Sequence, residues 1–237
     1  MNTTNDGGRD RISTGVPGVD DVFGGGYLPE TATLVRGSPG SGKSIFSLHF
    51  LAAGIDAGDT GLYVNLGEPE DYIRDTAREF GFDIDALNFL NLSASGDQFQ
   101  GAETYTLFES GEVETPSLVE SIRTAVQDIE PDYVVVDPVT EFRYLAPDDH
   151  QFRSQILGLV NFLKNEGATV VLTSQAADSM PDDDLQFLVD AVVNLGGGPN
   201  HLTLHVSKFR GSSFRRGQHF YEISDEGLTV WPSPLPG

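Results

Sequence analysis

The strongest chemical signal in the sequence is a glycine-rich run, Gly37-Ser-Pro-Gly-Ser-Gly42-Lys43-Ser44. It matches G-x-x-x-x-G-K-S at every fixed position and lies between an apolar run, TLVR, and a helix-like stretch, IFSLHFLAAG. Glycines allow several backbone N–H groups to converge on a phosphate, and a helix that begins at Lys43 adds the positive end of its dipole. The run therefore predicts a phosphate-binding loop made of Gly37, Ser38, Pro39, Gly40, Ser41, Gly42, Lys43 and Ser44.

Two of these side chains and one distant carboxylate are predicted to hold a nucleoside triphosphate with its metal. Lys43 is expected to reach the β- and γ-phosphates, and the hydroxyl of Ser44 is expected to ligate Mg²⁺. The run Tyr133-Val-Val-Val-Asp137 is an apolar strand that ends in a carboxylate, which is costly to bury unless a cation or hydrogen bonds receive it. We therefore expect Asp137 to hold Mg²⁺ through water, and ATP and Mg²⁺ to be the ligands.

The segments around these motifs alternate between strand-like and helix-like patterns. The strand-like runs are TATLVRG, GLYVNL, FLNLS, YVVVD, TVVLTS and AVVNL, followed by LTLHVSK, HFYEIS and LTVW with glycine-bearing turns. Apolar residues recur every three or four positions over 70–80, 116–129 and 151–166, which predicts amphipathic helices. The pattern predicts an α/β fold in which helices flank a mostly parallel twisted sheet with an antiparallel C-terminal edge. The stretch 94–114 has no period and is interpreted as a surface excursion.

Composition restricts the functional class. Lys and Arg total 14 against 36 Asp and Glu, which gives a formal net charge of −22. Such a field repels nucleic acids and anionic membranes, and we interpret it as halophilic, an adaptation to a salty cytoplasm in which like-charge repulsion is screened. No apolar run could span a bilayer, the N-terminus lacks a secretory signal, and the absence of cysteine excludes thiolate metal sites. We expect a cytoplasmic protein with a flexible tail at 1–10 and one domain at 11–237.

Several motifs occur in the order seen in KaiC-like members of the RecA superfamily. They are Thr14-Gly-Val-Pro-Gly-Val-Asp20, Gly24-Gly-Gly26, the phosphate loop, LYVNLGEPEDYIRDTAREFGFD, the Asp137 strand and Lys208-Phe-Arg210-Gly211. The chain resembles these proteins over residues 11–232. The resemblance implies a three-layer RecA-type P-loop NTPase core, ATP bound between neighbouring subunits, and a homohexameric ring.

The resemblance also points to the residue that would orient the attacking water. KaiC-like proteins usually carry two adjacent glutamates after the second core strand, and the first is commonly given this task. Here the pair reads Gly67-Glu68. Neighbours on an extended strand point to opposite faces, so Glu68 replaces a side chain at 67 only if the strand has already turned into a loop. Hydrolysis is therefore expected to be slow or absent, and Glu68 is either a candidate base or an ordinary solvated acid.

Three more positions match functional positions of the family. Lys208 and Arg210 lie two apart at a strand end, so an extended backbone projects both on one side. In the family this pair reaches the γ-phosphate of a neighbouring subunit, like an arginine finger supplied in trans, whereas otherwise it would be a charged strand end facing water. Gln175 lies where RecA-type proteins often place a group that senses the γ-phosphate, or it only caps its strand.

Three functions fit these residues. The first is an ATP-binding, slowly hydrolysing switch that acts in signalling or regulation through an unidentified protein partner. The second is a DNA recombinase or helicase, but the loop that would face DNA reads AADSMPDDD, whose aspartates repel phosphates, so nucleic acid is an unlikely partner on this interpretation. The third is a non-hydrolysing ATP-binding scaffold, because of Gly67. Self-phosphorylation as in KaiC is excluded, since Gln186 and Phe187 occupy the places of its acceptor pair before Asp190.

Overall fold

A computed structural model describes residues 10–92, 114–175, 182–198 and 201–234. The predicted tail and the predicted surface excursion therefore lie outside the described residues, apart from Asp10 and Glu114.

The centre of the fold is one sheet, to which every predicted strand-like run contributes. Its strands are β1 (Ala32–Gly37), β2 (Gly61–Asn65), β3 (Asn88–Asn91), β4 (Tyr133–Asp137), β5 (Thr169–Gln175), β6 (Ala191–Gly198), β7 (His201–Phe209), β8 (His219–Ser224) and β9 (Gly227–Pro234). Their order is β3-β2-β4-β5-β1-β6-β7-β8-β9. The first six strands in this order are parallel, and β7, β8 and β9 follow in antiparallel pairing. The predicted mostly parallel sheet with an antiparallel C-terminal edge is thereby confirmed.

Helices cover both faces of this sheet. They are α1 (Val19–Phe23), α2 (Lys43–Ala57), α3 (Glu70–Glu79), α4 (Glu114–Ile129), α5 (Phe142–Leu145), α6 (Asp149–Asn165) and α7 (Leu185–Leu188), with a 3₁₀ turn at Val139–Glu141 before α5. The helix predicted at 116–129 begins two residues earlier than expected. The helix predicted at 70–80 ends where expected, because Gly81 adopts a φ of 74°, a left-handed conformation that stops a helix.

The core has two layers of apolar side chains, one on each face of the sheet. In β4, Tyr133 and Val135 point into the layer beneath α1, α2 and α3, whereas Val134 and Val136 point into the layer beneath α4 and α6. Such alternation follows from the period of two in a strand, and here both faces are buried. The helix–sheet–helix arrangement confirms the predicted three-layer α/β fold.

The register of the parallel strands brings the predicted site residues to one edge of the sheet. Gly37 at the end of β1 pairs with Gln175 at the end of β5, and Asn65 at the end of β2 pairs with Asp137 at the end of β4. Ligands of open α/β sheets bind beyond the carboxyl ends of the strands. The fold thus places residues from four separate segments around one location, next to the first residue of α2.

Candidate nucleotide-binding site

The glycine-rich loop makes a tight turn between β1 and α2. Within it, the N–H of Ser41 donates a hydrogen bond to the carbonyl oxygen of Ser38 at 3.2 Å. Gly40 and Gly42 have φ angles of 77° and 90°, which residues with a Cβ rarely adopt. Helix α2 starts at once, because the N–H of Phe46 donates to the carbonyl of Gly42 at 2.9 Å. The N-terminus of α2 therefore opens at the end of the loop.

The back of the loop is fixed by close packing against the C-terminal strands. The hydroxyl of Tyr221 in β8 donates to the carbonyl of Ser41 at 2.8 Å. A Cβ on Gly37 would lie 2.5 Å from the carbonyl oxygen of Leu195 and 2.5 Å from Oγ of Ser41, so glycine is required there. Ser41 is thus turned inward, and the antiparallel extension of the sheet holds the loop in place.

A cavity of about 660 Å³ opens in front of the loop, within the usual size of small-ligand sites. Most of the predicted site residues line it: Pro39, Gly40, Gly42, Lys43, Ser44, Glu68, Asp137 and Gln175. The lining does not include Gly37, Ser38 and Ser41, which form the base of the loop, nor Lys208 and Arg210. The structure therefore brings together eight predicted residues and leaves the predicted trans-acting pair apart from them.

Lys43 lies inside the curve of the loop. Its Nζ donates to the carbonyl oxygens of Gly37 at 3.1 Å and Ser38 at 3.0 Å, and only 7% of the residue is exposed. Burial lowers the pKa of Lys43, and the negative charges of Asp137 and Asp182 oppose that shift. From this position the ammonium group can exchange the two carbonyl oxygens for phosphate oxygens, which would complete its coordination with charge-assisted hydrogen bonds.

Asp137 is a buried carboxylate whose hydrogen bonds come from neutral groups. Its Oδ2 accepts from the hydroxyl of Tyr63 at 2.5 Å, and its Oδ1 accepts from the hydroxyl of Thr173. Among the residues that the structure describes, no Lys, Arg or His forms an ion pair with it. Burial and the charge of Asp137 raise the pKa of Tyr63, so the tyrosine is a neutral donor. The hydroxyls orient the carboxylate without neutralising it, and Lys43 interacts with its charge without forming an ion pair.

The donor set fits Mg²⁺. This ion takes oxygen ligands, keeps several waters and is usually held by one or two protein groups together with substrate phosphates. Asp137 supplies an uncompensated carboxylate, and Ser44 supplies a hydroxyl beside Tyr63 in the same cavity. Within the described ranges no group of three or more His, Asp or Glu residues could hold a metal ion by itself.

Glu68 lies in a loop and not in a strand. Strand β2 ends at Asn65, whose side-chain Nδ2 donates to the carbonyl of Glu68 at 2.5 Å and whose Oδ1 accepts from the N–H of Gly67 at 3.2 Å. The chain has therefore already turned into a loop at Glu68, which is the condition under which Glu68 could serve in place of a side chain at 67. Burial and the nearby charge of Asp137 raise the pKa of Glu68. Its role as the base stays a prediction.

Lys208 and Arg210 contact α7 and the two residues that follow it. The Nζ of Lys208 donates to the carbonyl oxygens of Gln186 at 2.7 Å and Val189 at 2.6 Å. Arg210 forms an ion pair with Asp190 at 3.5 Å, and its own side chain is 62% exposed. The role of the pair in trans stays a prediction.

Four residues of the cavity network were missed by sequence reasoning. Tyr63 and Thr173 bond to Asp137, Asn65 shapes the loop after β2, and Glu141 lines the cavity from the 3₁₀ turn. A signal for the first three was present, because each is a polar residue near the carboxyl end of a strand that is otherwise buried. Glu141 follows its strand by four positions, and only the turn at Val139–Glu141 brings it back.

Comparison with known proteins identifies the family of the chain. A family model described as ATPase: KaiC matches residues 12–234. The protein belongs to the KaiC ATPase family. This confirms the resemblance drawn from the motifs, and membership in this family supports nucleotide binding by the phosphate loop.

Several relatives of this KaiC-family protein are similar over almost its whole length. The chain is 31% identical to a UPF0273 protein of Pyrococcus horikoshii over 239 residues, which cover 95% of each chain. It is 32% identical to a UPF0273 protein of Methanopyrus kandleri, over 95% of this chain and 94% of the relative. It is 31% identical to the circadian clock oscillator protein KaiC of Synechococcus elongatus, over 94% of this chain but 44% of that protein. The chain thus spans less than half of the clock protein.

The described helices were also compared with the dimensions of a bilayer. Over the ranges that the structure covers, none of them combines the length and the apolar character needed to cross a membrane.

Proposed function

We propose that this protein binds Mg²⁺ and ATP at the loop of residues 37–44, hydrolyses ATP slowly to ADP and phosphate, and acts as a switch in signalling or regulation through a protein partner. One observation carries the proposal. A buried lysine, the N-terminus of a 15-residue helix and an uncompensated buried carboxylate all face one cavity.

The arrangement of charge supports a triphosphate with its metal as the ligand. Lys43 and the first N–H groups of α2 present positive charge to the phosphates, as at other helix N-termini that bind anions. Asp137 presents negative charge to the same cavity, where a divalent cation would bind between the carboxylate and the phosphates. The positive groups favour the phosphates and the carboxylate favours the cation, so ATP with bound Mg²⁺ would satisfy both.

We also propose that the active form is a cytoplasmic ring, with six subunits as the number that the family resemblance implies. Lys208 and Arg210 do not line the cavity of their own chain, so they can act on a γ-phosphate only if another subunit presents one. Their shared anchorage on Val189 and Asp190 supports a role as a unit. An ATP molecule would then lie between two subunits.

The described end of the loop after β5 supports a protein partner over DNA. Asp182 is buried in an ion pair with Arg36, Asp183 pairs with the same Arg36 at 3.1 Å, and Asp184 pairs with Arg153 at 2.9 Å. Three carboxylates against two guanidinium groups leave a net negative charge, which repels a phosphate backbone. The total charge of −22 acts in the same direction, and it also supports the proposal of a salty cytoplasm.

The proposed function predicts that Lys43→Ala strongly weakens nucleotide binding. Removal of the buried ammonium group should weaken the affinity for a fluorescent ATP analogue with Mg²⁺ by about 100-fold, roughly 3 kcal/mol. Arg78→Ala removes a positive charge at an exposed position outside the cavity, and should leave the affinity within about twofold, the usual scale of surface changes. Binding, turnover and oligomeric size would be measured together at several KCl concentrations.

Two results would contradict this proposal in different ways. If the wild-type protein does not bind the analogue at any salt concentration, nucleotide binding itself is wrong. If it binds the analogue as a ring but never releases phosphate, the non-hydrolysing scaffold replaces the switch that turns over ATP.

A further inference from the structure

Besides Asp137 and Glu68, the cavity is lined by Glu141, to which neither the motifs nor the family resemblance gives a role. Glu141 is the last residue of the 3₁₀ turn Val139–Glu141, which directly follows Pro138. Its N–H donates to the carbonyl of Pro138 at 3.2 Å, and this bond closes the turn. The turn brings the half-buried side chain of Glu141 to the same cavity that Lys43 and Gln175 line.

KaiC-like proteins usually carry the first of their two glutamates at the position of Gly67. Here Pro138, which precedes the turn of Glu141, packs closely against that position. A Cβ on Gly67 would lie 3.0 Å from Cδ of Pro138, closer than such atoms normally approach. A side chain at 67 would therefore require the proline ring to give way by a few tenths of an ångström. Gly67 thus packs against the residue that precedes the turn of Glu141.

The carboxylate of Glu141 has no partner among the described residues. No ion pair or side-chain hydrogen bond to it is present in those ranges, whereas Glu70 pairs with Arg74, and Asp190 pairs with Lys164. A half-buried carboxylate without a partner is unfavourable unless a ligand or water in the cavity supplies hydrogen bonds. Glu141 is therefore placed to accept a hydrogen bond from a group that occupies the cavity.

Glu68 and Glu79 are the other glutamates that line the cavity, but their surroundings differ from those of Glu141. Both residues are exposed, whereas Glu141 is half-buried. An exposed carboxylate can keep its hydrogen bonds to solvent, so Glu141 is the glutamate of the three that most needs a donor inside the cavity.

We propose that Glu141 accepts a hydrogen bond from the water that attacks the γ-phosphate. In the family this task is commonly given to a glutamate at the position of Gly67, which has no side chain here. The inference rests on the proposed function, namely ATP hydrolysis. In the step, the oxygen of water forms a bond to the γ-phosphorus while the bond from that phosphorus to the β–γ bridging oxygen breaks. The electron pair of the broken bond leaves with ADP, and the proton of the water passes to the Glu141 carboxylate and then to solvent.

The test compares Glu141→Gln with the wild-type protein in turnover and in equilibrium binding. Loss of the acceptor should lower kcat by about 100-fold, because general-base contributions are of this order, while the Kd for the fluorescent ATP analogue with Mg²⁺ stays within about threefold. Glu141→Asp keeps the carboxylate at a shorter reach and should give an intermediate kcat. Glu68→Gln tests the competing candidate, and its kcat should exceed that of Glu141→Gln. Glu166→Gln, at an exposed position after α6, is the control and should retain full turnover.

The outcomes separate this inference from the proposed function. If wild type and Glu68→Gln turn over ATP and Glu141→Gln matches them, the proposed function holds and the inference is overturned. If Glu68→Gln alone abolishes turnover, Glu68 is the base and the inference is likewise overturned. If the wild-type protein binds the analogue without turnover, hydrolysis and the role of Glu141 fall together. If Glu141→Gln also lowers the thermal midpoint of unfolding, the kcat of Glu141→Asp decides. A kcat of Glu141→Asp equal to that of the wild type overturns the inference.

Discussion

At the scale of single residues, Tyr63 and Thr173 prepare a buried carboxylate for a cation. Both oxygens of Asp137 accept hydrogen bonds from hydroxyl groups, one from β2 and one from β5. A positive partner would have compensated the charge and competed with a metal, whereas neutral donors fix the orientation and leave the charge in place. The rotamer of Asp137 is therefore set before the metal arrives.

Tyr63→Phe should weaken Mg²⁺ binding to the nucleotide complex. The change removes only the hydroxyl that donates to Oδ2 of Asp137 and leaves the ring stacked on Phe89, with 5.5 Å between the ring centroids. A lost hydrogen bond of about 1 kcal/mol corresponds to about a fivefold increase in the Mg²⁺ concentration that gives half-maximal binding. Magnesium titration of the fluorescent analogue measures this increase.

The matched control for this change is Tyr144→Phe, because Tyr144 is 66% exposed. It should leave the magnesium dependence unaltered. Equal midpoints for wild type and Tyr63→Phe would mean that Asp137 does not depend on the tyrosine for its orientation.

At the scale of elements, His49 connects the helix of the phosphate loop to the C-terminal hairpin. Its Nε2 accepts a hydrogen bond from the N–H of Leu228 at 2.9 Å, and its ring packs edge to face against Phe82. Only 6% of the residue is exposed. The acceptor nitrogen must be unprotonated, so helix α2 and the turn between β8 and β9 are joined by a bond that exists only with neutral histidine.

This bond predicts a loss of stability in mild acid. Burial lowers the pKa of His49 to about 4, below its value of about 6.5 in the unfolded chain. As the pH falls from 6.5 towards 4, the unfolded state therefore takes up more protons than the folded state. The contribution of neutral His49 to the free energy of unfolding is present above pH 6.5 and is lost between pH 6.5 and pH 4. Between pH 7 and pH 5 the free energy of unfolding should fall by about 2 kcal/mol from this group.

Urea unfolding at both pH values measures the change. His49→Gln keeps a neutral acceptor that does not titrate, so it should show a smaller fall over the same interval. A fall of equal size in wild type and variant would assign the pH dependence to other groups.

Sequence patterns predicted the elements better than they predicted the network of the site. Each strand among the described residues falls on a predicted strand-like run, and inner parallel strands such as β2 and β4 are almost continuously apolar because both of their faces are buried. The phosphate loop was evident because its glycines are required by local geometry. Tyr63, Thr173 and Glu141 were missed because their importance comes from strand order and from a turn after Pro138, and no local spacing encodes either.

At the scale of the whole molecule, the proposed action of Lys208 and Arg210 on a γ-phosphate requires a second subunit, because neither residue lines the described cavity of its own chain. The side chain of Lys208 donates to the carbonyl oxygens of Gln186 and Val189, and Arg210 pairs with Asp190. The side chain of Lys208 has a pKa lowered by burial and by the charge of Arg210, an effect that Asp190 opposes. A neighbouring γ-phosphate would provide the negative charge that these two cations share.

Mixing two inactive variants tests action in trans. Lys43→Ala lacks the phosphate-loop lysine but keeps Lys208, and Lys208→Ala has the reverse defect while it still binds the fluorescent ATP analogue. Each should be inactive alone, since every interface in its ring lacks one component. In rings assembled from an equal mixture, about a quarter of the interfaces unite an intact loop with an intact Lys208, so about a quarter of the wild-type turnover should return.

A mixture of Lys43→Ala with a Lys43→Ala, Lys208→Ala double variant is the control and should stay inactive. If Lys208→Ala alone turns over ATP at the wild-type rate, or if the mixture restores nothing although sizing shows mixed rings, Lys208 does not serve a neighbouring site.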